Sequence, residues 1–107
     1  MSRWMSGRKQ GGSVSEAVSE KSSLIGGRTR VAKAFGATLR LIRLEQGLSQ
    51  DQLSEHCGCD RTYPSLLERG LRLPTLWVLL RIAHGLGVTP QRLVMDTVAR
   101  LRSESPP

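Results

Sequence analysis

The chain has 107 residues, a formal net charge of +7, and only one Phe, one Tyr and two Trp. That length admits one folded domain and little besides, and so few aromatics leave a core of Leu, Ile, Val and Ala, which suits a small all-helical bundle. No run approaches the ~20 apolar residues that cross a bilayer, and the first residues lack the apolar stretch of a signal peptide, so a cytoplasmic protein is expected, with a polyanion as its natural partner.

The charge is unevenly placed. Residues 1–33 hold seven basic side chains (Arg3, Arg8, Lys9, Lys21, Arg28, Arg30, Lys33) against two acids, Glu16 and Glu20, while residues 34–107 hold nine Arg against seven acids. Residues 1–30 are Ser, Gly and charge without a sustained period. Such a segment buries too little apolar surface to offset the entropy of ordering it. It is expected to be a disordered basic arm, either an inert linker or a strand that touches phosphates or a minor groove.

A helical texture begins at residue 31. Phe35, Leu39 and Ile42 fall at i, i+4 and i+7 on one helix face, and Gln46-Gly47 closes that helix with a left-handed cap. Leu41 and Leu44 lie off this face, either exposed or packed on a later helix. Ser49 and Gln52 have capping-box spacing and open a second helix over 50–57, with Leu53 and Cys57 inward and Ser54 small enough for a close helix approach. Gly58 suits a turn with positive φ. Asp60 is read as the N-cap of a third helix, about 60–69, with Arg61, Thr62 and Tyr63 in its first turn, Pro64 at its fourth position, Leu67 inward and Gly70 at its end. Thr75 caps a fourth helix that carries Leu76, Leu79, Leu80, Ile82, Ala83 and Leu86 and ends at Gly85 and Gly87. Thr89-Pro90 opens a fifth, lined by Leu93, Val94, Val98 and Leu101. The folded domain is thus expected over 31–102, with 103–107 a flexible tail.

Little here favours catalysis. Cys57 and Cys59 are one residue apart, which is no disulfide framework, and a tetrahedral metal site built from them and His56 within four residues is sterically poor. They read as free structural thiols in a reducing compartment, with no metal and no cofactor. His56 and His84 stand apart without a nucleophile beside them, and the glycines mark helix ends, not a phosphate-binding loop. The chain reads as a non-enzyme.

Two short helices joined by a tight glycine turn follow the helix-turn-helix plan. The residues go further. Phe35-Gly36 with Leu39, Ile42 and Arg43, then Gly47-Leu48-Ser49-Gln50 with Leu53, then Gly58 through Tyr63, Leu67-Glu68-Arg69-Gly70, Pro74-Thr75-Leu76 with Leu79, and Ile82-Ala83 with Leu86-Gly87-Val88 all lie in one ungapped register. Over residues 35–93 the chain resembles the helix-turn-helix domain of the phage repressor and Cro family, the xenobiotic-response-element regulators. The resemblance implies an all-α, five-helix lambda-repressor-like bundle whose third helix enters the major groove, where each base pair shows a distinct donor and acceptor pattern.

Carried over by position, the resemblance makes Arg61, Thr62, Ser65 and Leu66 the base readers, Arg61 suiting guanine O6 and N7. It assigns phosphate contacts to Arg43, Gln50, Arg69 and Arg72, the helix N-terminus at Gln50 adding its own N–H groups. Arg43 and Glu68 match a pair that bridges helices one and three, so Arg43 is either purely structural or both structural and phosphate-facing. Pro64 and Leu66 depart from the usual pattern, which affects base contacts more than fold. Trp77 is expected to be half-covered by helix five or to anchor a partner. A homodimer over a palindrome is the expected assembly, since one reader touches few bases and two-fold half-sites lie about 34 Å apart. Val94, Val98 and Leu101 are the expected dimer patch. The implied function is sequence-specific double-stranded DNA binding by a transcriptional regulator, in all expectation a dimeric repressor. The alternative is a protein-interaction module or antitoxin that keeps the bundle and reads little DNA of its own.

Overall fold

A computed structural model describes residues 26–103; most of the expected basic arm and of the tail lies outside them. Among the described residues there are five helices and no strand: α1 Arg28–Glu45, α2 Gln50–Cys57, α3 Tyr63–Glu68, α4 Leu76–Leu86 and α5 Pro90–Ser103. The long α1 packs on both α5 and α3, while α2 packs on α4. Phe35, Leu39 and Ile42 of α1 meet Leu53 and Cys57 of α2, Leu67 of α3, Ile82, Ala83 and Leu86 of α4 and Leu93 of α5 in one buried cluster. Phe35, Leu39, Ile42, Leu53, Cys57, Leu67 and Leu93, periodic positions read from the sequence, are buried, because a 3.6-residue stripe is the surface each helix can turn inward.

Two boundaries move outward. α1 begins at Arg28, inside the segment expected to be an arm. Its first turn is tied down from far along the chain: Arg30 Nη2 donates to the Leu101 carbonyl at 2.6 Å. α5 likewise runs one residue past the expected end of the domain.

The caps are local and follow the residues. Gln52 N–H donates to Ser49 Oγ at 3.0 Å, and Ser49 N–H donates to Gln52 Oε1 at 2.8 Å, so two orphan donors at the start of α2 are satisfied reciprocally. Ser49→Ala is expected to cost about 1 kcal/mol of folding stability, read as a lower urea midpoint at unchanged m-value. Thr75 Oγ1 accepts from Val78 N–H at the start of α4, and Thr89 Oγ1 from Arg92 N–H at the start of α5.

Two glycines set how close the helices come. Gly36 faces the end of α3, where a Cβ would press on the carbonyl oxygens of Leu67 and Glu68, 2.7 Å from the latter. Any side chain there would lift α1 off the third helix. Gly58 adopts φ +69° and turns the chain sharply out of α2. Gly85, expected to end the fourth helix, instead lies inside it, where its missing Cβ lets α4 approach Cys57 of α2.

The Gly58 turn overturns the reading of the cysteines. It folds the chain back so that the Cα atoms of Cys57 and Cys59 are 5.5 Å apart, and the two sulfurs are bonded. That separation is ordinary for a disulfide. A bridge over so short a loop constrains the unfolded chain less than a long one does and acts mainly as a clamp on the exit from α2. The inference of a reducing compartment, which rested on free thiols, loses that support.

Burial decides which apolar side chains of α1, α4 and α5 stay uncovered. Leu41 and Leu44 of α1 are exposed, as are Leu76 and Leu80 of α4. Trp77 is 66% exposed and lies under the Arg81 guanidinium, 4.9 Å from its ring centroid, not under α5. Leu101, expected at a dimer surface, is 4% exposed and belongs to the core, leaving Val94, Met95 and Val98 as the uncovered apolar row of α5. A helical period gives the faces but not which neighbour covers them. No described helix is long and apolar enough to cross a membrane.

Candidate nucleic-acid interface

The third helix starts later than the sequence suggests. Asp60 does not cap it. Its carboxylate instead accepts from Thr62 N–H at 3.1 Å and from the Thr62 hydroxyl, closing a side-chain turn across Arg61. The Thr62 hydroxyl, then its N–H, hold the Asp60 carboxyl below the usual carboxylate range. Arg61 and Thr62 therefore stand in this turn, and the helix proper begins at Tyr63. Pro64 moves with the boundary, from an expected fourth position into the opening turn. There its missing N–H removes no intrahelical bond. Its ring is buried with Leu67 against the rest of the bundle. The helix ends at Glu68, and Gly70 turns the chain out of it with a positive φ, so that Leu71 N–H donates to the Leu66 carbonyl at 2.9 Å.

α3 is only six residues long, too short to hold itself. A buried ion pair docks it. Arg43 Nε donates to Glu68 Oε2 at 2.6 Å and Nη2 to Oε1 at 3.0 Å, a two-pronged match of guanidinium to carboxylate. Arg43 Nη1 donates to the Leu48 carbonyl at 2.8 Å, in the turn before α2. Gln50 Nε2 donates to Glu68 Oε1 at 3.0 Å. One carboxylate thus gathers α1, the start of α2 and the end of α3.

This network carries the structural role read for Arg43. The residue is 6% exposed, and Nε, Nη1 and Nη2 are all turned inward. Arg43 thus ties α1 to α3 and to the turn before α2, and these bonds use one hydrogen each of Nε, Nη1 and Nη2. Gln50 differs: it is half-buried, and its amide still has a second hydrogen and an oxygen to offer from the first turn of α2.

The remaining candidates lie in the turn before α3, along α3 and just after it. Arg61, Thr62, Arg69 and Arg72 are exposed, and Ser65 and Leu66 are half-buried. Arg69 Nε reaches only its own helix, 3.4 Å from the Ser65 carbonyl, and Arg72 Nη1 donates to the adjacent Leu71 carbonyl. Both side chains can swing to an anion at small cost. Arg61 is held more firmly: Nε donates to Asp51 Oδ1 at 3.2 Å and Nη2 to Oδ2 at 3.1 Å. Asp51 was not singled out from the sequence. It sits ten residues before Arg61 on another helix, and no periodic signal links the two. Among the described residues no group of three or more His, Cys, Asp or Glu is placed to hold a metal ion.

Gln50 at the start of α2, with Arg61 and Arg69 at the two ends of the short α3 that a tight glycine turn feeds, can present cations and hydrogen-bond donors to a groove. An uncharacterised HTH-type transcriptional regulator of Sinorhizobium fredii, y4dJ, is 38% identical over 65 residues, which is 61% of this chain and 84% of that protein. The control protein C.BamHI of Bacillus amyloliquefaciens is 41% identical over 61 residues, 56% of this chain and 75% of that protein. Among solved structures, the restriction-modification controller protein C.AhdI of Aeromonas hydrophila superposes with a TM-score of 0.57 at 39% identity, covering 58% of this chain and 94% of that one. The family model of the helix-turn-helix domain matches residues 34–94. That span takes in α2, the Gly58 turn, α3 and all the candidate contact residues, and the chain belongs to the helix-turn-helix domain family.

Proposed function

We propose that this chain is a transcriptional regulator that binds double-stranded DNA in a sequence-specific way, reading the major groove with the segment from Arg61 to Arg69. The observation that carries the reading is the docking of α3. A six-residue helix is anchored by buried Pro64 and Leu67 and by the Arg43–Glu68–Gln50 network, with Arg61 and Thr62 exposed in the turn before it and Ser65 and Leu66 half-buried along it. Arg61, Thr62, Ser65 and Leu66 are the base readers in this scheme. Gln50, Arg69 and Arg72 grip phosphates, which fixes register without reading sequence. The relatives named as transcriptional regulators and restriction-modification controllers support the same role.

A homodimer completes the reading, since one short reader contacts few bases. Val94, Met95 and Val98 offer it an uncovered apolar row on α5, beside a groove of about 290 Å³ lined also by Val31, Leu73 and Pro74. The N-terminal segment, residues 1–25, adds basic charge suited to phosphates. The second reading, a module that binds protein and little DNA, is favoured by the exposed Leu76, Trp77 and Leu80 of α4.

Selection of bound duplexes from a random-sequence pool tests the proposal. A palindromic consensus whose binding weakens steeply with salt, as counterion release requires, is the expected result. Retention of no duplex at low salt would favour the protein-binding module, and sedimentation showing only monomer with and without the selected duplex would remove the dimer. Gln50→Ala is expected to weaken selected and scrambled duplexes by the same factor, about ten- to 150-fold, as loss of one hydrogen bond to a charged oxygen predicts; a mobility-shift titration of both measures it.

A further inference from the structure

The pair between Arg61 and Asp51 has a geometry that matters for recognition. A guanidinium offers two edges to a planar acceptor pair: the side edge, Nε with Nη2, and the end, Nη1 with Nη2. Asp51 occupies the side edge, with Oδ1 on Nε and Oδ2 on Nη2. Nη1 takes no bond among the described residues, and the Arg61 side chain is 80% exposed. The edge left over is the one that suits guanine O6 and N7.

From this arrangement we propose that Asp51 is a specificity-determining residue: it holds the Arg61 fork by its side edge so that only the end faces the base. The inference rests on the DNA-binding reading given above. An exposed arginine on a turn has many rotamers, and a free one can meet guanine, a phosphate or a thymine oxygen with little difference in energy. A carboxylate that fixes the plane of the fork removes most of those choices. Its carboxylate also neutralises part of the Arg61 charge, which weakens the attraction of Arg61 for a phosphate in any sequence. Asp51 therefore trades general affinity for discrimination. As an exposed ion pair it adds little to folding, so its role shows in recognition and not in stability.

A random-sequence duplex pool selected by the wild-type protein and by Asp51→Ala, Arg61→Ala and the double variant decides the matter. With Asp51→Ala the expected result is a loss of about tenfold in preference at one base pair, the same pair that Arg61→Ala relaxes, together with several-fold tighter binding to scrambled duplex. In the Arg61→Ala background, removing Asp51 should leave the remaining preferences unchanged. An unaltered consensus with tighter binding throughout would reduce Asp51 to a repulsive charge and overturn the proposal, as would a further relaxation when Arg61 is already absent. Failure of the wild-type protein to bind any duplex in a salt-dependent manner would instead bring down the underlying DNA-binding reading.

Discussion

Replacing Glu68 by alanine is expected to destabilise the fold by about 3–5 kcal/mol, because it leaves the Arg43 charge buried and unpaired. The carboxylate accepts from Arg43 Nε and Nη2 and from Gln50 Nε2, so one truncation orphans donors on two helices. The side chains of Arg43 and Glu68 are 7% and 3% exposed, and water cannot take the place of the lost partner without opening the bundle. A small domain is stable by only about 5–15 kcal/mol in total, so the variant should show a greatly lowered urea midpoint or be unfolded outright. Removing both charges should be milder. Arg43→Met with Glu68→Leu replaces a buried pair by apolar groups of similar size, which is often neutral or stabilising. A single variant that unfolds within about 1 kcal/mol of the wild type would show that the network contributes little.

Arg61→Ala carries the largest expected effect on base preference. Loss of a bidentate contact to guanine should cost about 1–3 kcal/mol of binding, roughly five- to 150-fold in affinity for the selected duplex, and should relax preference at one base pair only. Folding should be nearly untouched, since the side chain is exposed and its one partner, Asp51, is exposed as well. Binding isotherms on the selected duplex and on versions altered at each position separate this from a phosphate contact, which would weaken all of them alike. A uniform loss would move Arg61 from the readers to the grip.

The two variants probe different depths of the same device. Glu68 decides whether α3 is held in place; Arg61 decides what the held segment recognises. Their effects are expected to be independent in the sense that stability falls in the first and selectivity in the second. This separation follows from burial. Groups that dock the helix are inside the bundle, and those that can meet a groove are outside it.

Much of this was legible in the residues. The capping box at Ser49 and Gln52, the left-handed glycine after Cys57 and the Thr75 and Thr89 caps are local hydrogen-bonding choices, and local choices are written in neighbouring side chains. The inward stripe of Phe35, Leu39, Ile42, Leu53, Leu67 and Leu93 follows from helical period alone. The start of α3 was misplaced because Asp60 has two competing uses, as helix cap and as side-chain turn, and both satisfy the same kind of donor. The cysteine pair was misread because a separation of two residues says nothing of the path between them until Gly58 takes its positive φ.

Residues close together in the chain specify five helices, the Ser49, Thr75 and Thr89 caps and the helix-turn-helix plan, since each of these depends on side chains within a few positions of one another. Only the tertiary structure decided that Leu101 is core and Val94 surface, that Trp77 lies under Arg81, that Arg43 is sealed against Glu68, and that Asp51 meets Arg61. Those relations join distant parts of the chain, and they exist only once the helices have chosen which faces to bury against each other.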